Sequence, residues 1–219
     1  MNDLFLPIAS HLLRGFGITL FVAILSIALA TPLGLFVGLV TQSQSRGGRL
    51  AARGYIEALR GVPSLITLLF VFFALPRFGI EMSPIAASIL GLGIWSAANI
   101  AEVARGALSS IASGQTVASR ALGMNQSQTL IWVIGPQALK RFIPPYVNQV
   151  TLLIQASTLT SVVGVTELLG AGRQMIERLA YTGGSQSIMI YGAVMIFFFS
   201  ICYPLTLLAR ALELKARSE

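Results

Sequence analysis

Apolar residues fall into five long runs along the chain, separated by shorter polar stretches. The runs cover residues 15–40, 61–78, 84–104, 144–165 and 187–208. Each is close to the roughly 20 apolar residues that a helix needs to cross a bilayer. Because lipid offers the backbone no hydrogen-bond partner, each run is expected to be helical. The pattern predicts an all-α integral membrane protein with five transmembrane helices in a single domain, residues 1–219.

Composition and charge support a membrane protein and exclude an ordinary soluble domain. Hydrophobic residues make up 55% of the chain and charged residues only 11%, against roughly 25% charged in soluble domains. The net charge is +7, and its cations cluster in the polar stretches and at the C-terminus. This distribution is typical of loops that stay on the cytoplasmic side of a membrane. It argues against nucleic acid as a partner.

The positions of the cations also predict the orientation of the chain. The basic loop 42–60, the polar segment 102–149 and the basic C-terminus fall on one side if all five runs are spans. Cytoplasmic loops carry the excess of Lys and Arg. We therefore expect the N-terminus, loop 77–83 and loop 166–186 outside, and the C-terminus inside.

The polar segment between the third and fourth runs has the pattern of short helices. Gly114 and Gly123 bracket one of them, with Ser113 expected as its N-cap and Gly123 as its end. Val117 and Ala121, and likewise Ala118 and Leu122, are four residues apart and share a face. This face is apolar but made of small residues, which suits insertion into a groove of a partner.

A second short helix is predicted directly after the first. Asn125 is expected to cap it, and Gly135-Pro136 is expected to close it. Its short apolar stripe consists of Leu130, Ile131 and Ile134. Residues 105–143 thus form a candidate cytoplasmic coupling segment. On these residues alone, an interfacial helix pair without a partner is the alternative.

The single cysteine and the single histidine do not predict a metal site. Cys202 lies inside an apolar run and is interpreted as a packing residue, and no disulfide is possible with one cysteine. His11 has no neighbour of metal-ligand type and is interpreted as solvated or interfacial. Gly34 and Gly38, four residues apart, permit close approach of another helix, with ordinary close packing as the expected use.

Several short motifs follow one another in a fixed order, and together they carry a family resemblance. They are Arg60-Gly61-Val62-Pro63, Glu102-x-x-Arg105-Gly106, Gly114-Gln115, Val117-Ala118-Ser119, Arg120-Ala121-Leu122-Gly123, Pro136-Gln137-Ala138, Asn148-Gln149 and Gly164-Val165-Thr166-Glu167-Leu168-Leu169. From about residue 15 to the C-terminus the chain resembles permeases of ATP-binding-cassette importers, in particular the polar amino acid uptake subfamily. The segment around Gly123 is similar to the cytoplasmic loop with a Glu-Ala-Ala triplet in that family.

The resemblance implies a type I ABC importer permease fold, located in the bacterial inner membrane, and no catalytic residue in this chain. ATP and Mg would be bound by a separate cytoplasmic ATPase dimer. A second permease subunit and an extracytoplasmic solute-binding protein, docking above all on loop 166–186, would complete the assembly, which would move an amino-acid-like substrate. The implied ATPase-coupling residues are Gly114, Gln115, Val117, Ala118, Arg120, Ala121, Leu122, Gly123 and Pro136. The implied structural or gating residues are Arg60, Gly61, Pro63, Glu102 and Arg105.

Two departures from the family pattern change what is expected. Val117 replaces the glutamate of the triplet and Ser119 replaces its second alanine. The docking contact is then made differently, or a second, different permease subunit carries the glutamate, and the second explanation is favoured.

The substrate pathway departs as well. The fourth span reads Gln155-Ala156-Ser157-Thr158 where the subfamily commonly has Lys-Asp-Thr-Ser, and Trp95 stands where an asparagine is frequent. These positions are expected to face a cavity at mid-membrane, where transporters bind substrate. Without the charged pair, a smaller neutral ligand is expected, or a pocket formed by the partner subunit. Hydrogen bonds between helices are the alternative role for these polar residues.

Two other function classes stay open from the residues alone. An ion-coupled secondary transporter usually needs ionisable groups deep in the membrane, whereas Glu57, Glu102 and Glu167 lie near the ends of spans, where pairing with Arg60 or Arg105 is expected. A channel or an assembly factor is the third class.

Overall fold

The computed structural model describes residues 2–180 and 186–218, with side chains described from residue 8 to 180 and from 186 to 215. Within these residues the chain forms helices and no strand, which confirms the predicted all-α class. The α-helices are α1 (Asn2–Val40), α2 (Arg46–Arg60), α3 (Ser64–Ala74), α4 (Pro84–Ser109), α5 (Ser113–Ala121), α6 (Gln126–Gln128), α7 (Gly135–Ala156), α8 (Leu168–Ala180) and α9 (Ser187–Ser218). Short 3₁₀-helices cover Leu75–Phe78 and Ser157–Val163, and a π-helix covers Thr129–Ile134.

The packing of α1 along α4 forms the centre of the fold, and two glycines of α1 make it possible. A β-carbon on Gly34 would lie 2.7 Å from the carbonyl oxygen of Ala97, and one on Gly38 would lie 2.6 Å from the Ala104 β-carbon. Real side chains cannot approach so closely, so the two backbones meet only because these positions lack side chains. The Gly-x-x-x-Gly pattern therefore serves close packing within the chain, as expected.

Three helices are long and apolar enough to cross a membrane by themselves: Ile8–Val40, Pro84–Ser109 and Ser187–Lys215. Two bent pairs, Arg46–Arg60 with Ser64–Phe78 and Gln126–Val163 with Leu168–Ala180, raise the number to five if each pair is one span. The first pair is bent by 102° and the second by 47°. These counts refer to the described residues. They reach the predicted number only if each bent pair crosses the membrane once, so the five spans stay a prediction.

The predicted second and fourth spans, 61–78 and 144–165, are not single α-helices. Pro63 precedes α3 and has no N–H to continue the helical ladder of α2. At the other break, α7 tightens into a 3₁₀-helix that ends at Gly164, whose φ of 90° turns the chain. The predicted basic loop 42–60 is also largely helical, because Ser45 caps α2 by accepting from the Gly48 N–H.

The predicted outer loop 166–186 contains α8, which packs against α1 through Leu168 and Ala171; residues 181–185 of this loop lie outside the described part. Glu167 is fully buried and does not form the ion pair expected of it. Its carboxylate accepts from the N–H groups of Leu169 and Gly170, both at 2.8 Å. The Thr19 hydroxyl accepts from the Leu168 N–H at 3.1 Å. Together they satisfy N–H groups that a helix start leaves open.

The structure also shows the surroundings of the single cysteine and the single histidine. Cys202 is buried in a cluster with Ala23 and Ile154, which confirms its role in packing. His11 is half-buried, and its Nε2 atom is buried without a hydrogen-bond partner among the described residues. Its interfacial placement stays a prediction.

Candidate functional site

The short helix α5 stands out from the bundle, with its apolar face uncovered. Its residues are exposed apart from Ser119, and Val117 keeps 69% of its surface accessible. Leu122, directly after the helix, is 81% exposed. Exposed apolar patches are common at protein–protein and protein–membrane contacts. The structure therefore presents the predicted small apolar face in a form that a partner could cover.

The end of α5 is fixed by a left-handed glycine, as predicted. Gly123 has a φ of 82°. Its N–H donates to the Arg120 carbonyl at 3.0 Å, and the Met124 N–H donates to the Ser119 carbonyl at 3.1 Å. These two bonds form a Schellman motif, which ends a helix sharply. The helix tip is therefore held in one conformation by its own backbone.

The start of α5 corrects a prediction. Ser113 is the first residue of the helix, whereas the N-cap is Ala112, and no side chain caps the helix there. A serine caps only from the extended position before the helix, where its hydroxyl reaches the free N–H groups. Exposed N–H groups at this end are left to solvent or to a partner.

A buried pair of hydroxyl groups ties α5 to the segment that follows it. Ser119 and Thr129 are each 3% exposed, and their oxygen atoms are 3.0 Å apart. The Ser119 hydroxyl donates to the Thr116 carbonyl at 2.9 Å. Because its single proton is used there, the Thr129 hydroxyl must be the donor between the two. Sequence reasoning noted Ser119 only as a departure from the family triplet and missed this contact.

Removing both hydroxyls of this pair is expected to destabilise the protein by less than the sum of the two single removals. Ser119→Ala, or Thr129→Val, leaves the other group buried with a lost bond, at a cost of about 1–3 kcal/mol. The double variant should cost less than the sum of the two single ones, because no unpaired group remains. The free energy of unfolding in detergent measures this, with the exposed Ser113→Ala as the control that should change little. Strictly additive losses would contradict the pairing.

The segment after α5 runs as a helix into the bundle and is not closed where predicted. Asn125 caps α6 in a reciprocal capping box with Gln128, which confirms the predicted cap. The π-helix Thr129–Ile134 then leads directly into α7, so Gly135-Pro136 does not end a helix. Pro136 has no N–H to donate back into the π-turn, so it removes one bond of the ladder without ending the helix. Residues Gln126–Val163 thus form one continuous rod, to which α5 does not belong.

Gly135 is needed for the π-turn itself. Its N–H donates to the Leu130 carbonyl, five residues back, and a β-carbon at this position would lie 2.7 Å from that oxygen. π-Turns inside helices are frequent at functional positions. Here the turn lies between the Ser119–Thr129 pair and α7.

A cavity of about 660 Å³ separates α5 from the cytoplasm-facing ends of α1 and α4 in the predicted orientation, with Gln42, Ser109 and Thr116 among its lining residues. The helix α5 packs mainly on the π-helix. A displacement of α5 would therefore move the π-turn and α7 first.

The predicted gating residues meet at the bend between α2 and α3. Arg105 donates two hydrogen bonds to the Glu102 carboxylate, from Nε at 2.8 Å and from Nη2 at 2.7 Å. Arg60, at the end of α2, approaches the same carboxylate to 3.6 Å. Gly61 ends α2 and Pro63 precedes α3. The expected pairing of Glu102 with both arginines is confirmed, and it bridges α2 and α4.

The predicted pathway residues differ in their surroundings. Gln155 lines a cavity of about 350 Å³ against α9, together with Cys202 and Tyr203. Ser157 is buried and donates to the Ile154 carbonyl at 2.7 Å, and Thr158 donates to the Gln155 carbonyl at 2.8 Å. These two hydroxyls thus bond within their own helix, and the alternative of bonds between helices does not apply to them.

The remaining two pathway residues, Ala156 and Trp95, are both half-buried. Ala156 is half-buried and packs in a cluster with Val22 and Leu92. Trp95 is half-buried in α4, and its carbonyl accepts from the Asn99 side chain at 3.0 Å. A role of the five residues in substrate passage stays a prediction.

Comparison with known proteins shows the family. Residues 30–218 match the family described as "Binding-protein-dependent transport system inner membrane component". The chain is 34% identical over 201 residues to the probable glutamine ABC transporter permease protein GlnP of Bacillus subtilis (strain 168), covering 92% of this chain and 91% of the relative. It is also 34% identical over 212 residues to the glutamine transport system permease protein GlnP of Escherichia coli (strain K12), covering 94% and 93%.

Solved structures agree with the sequence relatives. A crystal structure of an amino acid ABC transporter with histidines has a chain that superposes with a TM-score of 0.85 at 27% identity, covering 98% of this chain and 97% of that one. The MetNI methionine ABC transporter in an inward-facing conformation shares the fold, with a TM-score of 0.69 at 20% identity and coverage of 100% and 98%. These matches identify a type I importer permease fold. Because its relatives are ABC transporter permeases, this protein is a transport permease and neither an ion-coupled carrier nor a channel. It therefore belongs to the family of inner membrane components of binding-protein-dependent transport systems.

Proposed function

We propose that this permease moves a neutral, polar amino acid into the cytoplasm, with a separate ATPase dimer docking on α5. The observation that carries the proposal is the exposed apolar helix α5, ended by Gly123 and joined through Ser119 and Thr129 to the rod that enters the bundle. The 219 residues contain no Gly-rich Lys-Ser/Thr phosphate-binding motif. ATP and Mg are therefore assigned to the partner subunit, and this chain would be moved by the closure of that subunit.

The transport step follows from the connection between α5 and α7. Closure of an ATPase dimer would draw two α5 helices together and displace each π-turn. Because α7 continues from that turn without a loop, its tilt changes with the position of α5. Rigid tilting of helices around a central site is a recognised way of alternating access. The 102° bend between α2 and α3, bridged by Arg60, Glu102 and Arg105, provides a second element that can change with the tilt.

The orientation places α5 on the side of the ATPase. Arg46, Arg49 and Arg53 lie on α2, and Arg120 and Arg141 lie in the segment around α5. Cations in short loops remain cytoplasmic. We therefore assign the N-terminus to the outside and the C-terminus to the cytoplasm of a bacterial inner membrane. An extracytoplasmic solute-binding protein would approach from the side of α8.

A second permease subunit completes the pathway, since one bundle of this size encloses no gated route by itself. Val117 occupies the place of the usual glutamate of the coupling triplet. A different subunit that retains the glutamate would restore that docking contact, so we propose a heterodimer. Mass measurement of the intact complex should show two different membrane subunits, and a single species would indicate a homodimer.

The substrate class is inferred from the relatives and from the missing charges. Two relatives that are 34% identical are glutamine permeases by name, and another that is 30% identical is an L-cystine permease. The stretch from Gln155 to Thr158 has hydrogen-bonding groups but no charge. A side chain that is polar and uncharged suits such a surface better than the cation of arginine or lysine.

A reconstituted assay tests this function. The permease is assembled with its ATPase, its second subunit and its binding protein in vesicles, and uptake and ATP hydrolysis are followed for a panel of amino acids. Glutamine and similar neutral amino acids should stimulate both, and arginine and lysine should not. Uptake of arginine or lysine alone would contradict the substrate class, and uptake that continues without ATP would contradict the mechanism.

A further inference from the structure

A charged pocket of about 370 Å³ lies beside the bend between α2 and α3. Its volume is within the range of small-ligand sites, which begins at about 300 Å³. It is lined by Arg53, Ile56, Glu57, Arg60, Glu102 and Arg105. The ion pairs of Glu102 with Arg60 and with Arg105 are located here. The pocket is therefore lined by five charged side chains that lie close together.

One face of α2 supplies three of these charges. Arg53, Glu57 and Arg60 follow one another at spacings of four and three residues, which places them on the same side of the helix. Ile56, buried between them, packs this side toward α4. Oppositely charged residues at this spacing usually pair. Within the described part of the chain, however, neither Arg53 nor Glu57 forms an ion pair or a side-chain hydrogen bond.

The charge of Glu102 is already balanced. Its two carboxylate oxygens accept from Arg105, while Arg60 stays at 3.6 Å and 45% exposed. The two charged groups of the pocket left without an ion pair among the described residues are thus the guanidinium group of Arg53 and the carboxylate of Glu57, and Arg60 holds only the longer of the two contacts to Glu102. Arginine is suited to hold a carboxylate through two parallel hydrogen bonds. A free carboxylate such as Glu57 is suited to hold an ammonium group.

We propose that this pocket binds the zwitterionic head of a free amino acid, with its carboxylate on Arg53 and Arg60 and its ammonium group on Glu57. A simple anion fits less well, because it would face Glu57 without a compensating positive charge. The proposal rests on the function proposed above. It adds a site for the α-carboxylate and the α-ammonium group, which all free amino acids have in common.

The position of the pocket indicates when it would be used. Glu102 lies seven residues before the end of α4 at Ser109, which is about 10 Å along a helix at 1.5 Å per residue. In the orientation proposed above, this is the cytoplasmic half of the span. The pocket would therefore hold the amino acid after it has passed mid-membrane and before it is released.

Direct binding tests the pocket. Tritiated L-glutamine, or the panel amino acid that the uptake assay selects, is titrated onto the permease–ATPase complex in nanodiscs without the binding protein. Arg53→Gln and Glu57→Gln should each weaken binding about tenfold or more, since each removes a hydrogen-bonded charge. Arg46→Gln, an exposed arginine of the same helix outside the pocket, is the matched control and should bind like the wild type.

The outcomes separate the pocket from the transport function. Unchanged binding by Arg53→Gln and Glu57→Gln, in a complex whose wild type takes up the amino acid, overturns the pocket and leaves the transport function standing. Displacement of the label by inorganic phosphate as efficiently as by unlabelled amino acid overturns the zwitterion as ligand. Failure of the wild type to take up any amino acid of the panel overturns the proposed function and this inference with it.

Discussion

Gly123→Val is expected to leave the protein in the membrane at normal abundance while uptake falls at least about tenfold. The backbone at Gly123 has a φ of 82°, a conformation that costs other residues about 1–2 kcal/mol and a β-branched residue more. Space is not the limit, since nothing lies within 4 Å of the position that a β-carbon would take. The strain should loosen the Schellman motif and the end of α5. The ATPase would then hydrolyse ATP without moving the bundle.

Two measurements and one control identify this effect. Uptake and substrate-stimulated ATP hydrolysis are compared in vesicles for the wild type, Gly123→Ala and Gly123→Val, with the valine variant expected to be the more affected. Gly47→Ala serves as the control, because Gly47 lies in α2 with open space around it and no positive φ. Coupled uptake by Gly123→Val at the wild-type rate would show that the rigid end of α5 is not needed for transmission.

The parts of this site that sequence could predict are those set by local backbone chemistry. A glycine after a short run of helix-forming residues predicted the end of α5, and Asn125 followed three residues later by Gln128 predicted the capped start of α6. Both signals concern residues that contact their own neighbours in sequence. Local reasoning failed at Ser113 because the extended residue before α5 is Ala112, so the serine lies one position too late to cap the helix.

The features that sequence could not predict depend on contacts between distant parts of the chain. Glu167 was expected to pair with an arginine near the end of a span, yet it caps α8 beside Thr19, which is 149 residues from Leu168. Nothing in the local pattern indicates that partner. The same holds for Ser119 and Thr129, whose hydroxyls are buried only because α5 folds back on the π-helix.

Sequence analysis missed the helix α2 because the residues that form it are rich in arginine. Four arginines made residues 42–60 resemble a loop, although α2 carries them on one helix that packs on α4 through Ala52 and Ile56. Long side chains can lie along apolar surface while their charges remain in water. A helix with so few apolar residues is stable here because α4 covers its narrow buried face, and that cover is visible only in the structure.

Adding one methyl group to α1 is expected to have opposite consequences at two glycines of the same helix. At Gly38 a β-carbon would lie 2.6 Å from the Ala104 β-carbon, whereas at Gly17 nothing lies within 4 Å. Gly38→Ala should therefore force α1 away from α4 and destabilise the protein by about 1–3 kcal/mol or more, as overpacked cores do. Gly17→Ala should leave stability unchanged or raise it by up to about 1 kcal/mol, since alanine favours helix over glycine.

A compensating change shows whether the contact itself is responsible, and thermal unfolding of the purified permease reports the result. Ala104→Gly removes the methyl group that Gly38→Ala would meet, so the double variant should recover much of the lost stability. Gly34→Ala offers no such rescue at position 104, because its β-carbon would lie 2.7 Å from the backbone carbonyl of Ala97. If Ala104→Gly rescued both variants equally, or neither, the instability would come from a general loosening of α1 and not from its close seam with α4. Close packing that tolerates no methyl group would keep α1 and α4 together as one body. In the mechanism proposed above, a displacement of α5 would then move α7 against that fixed pair of helices.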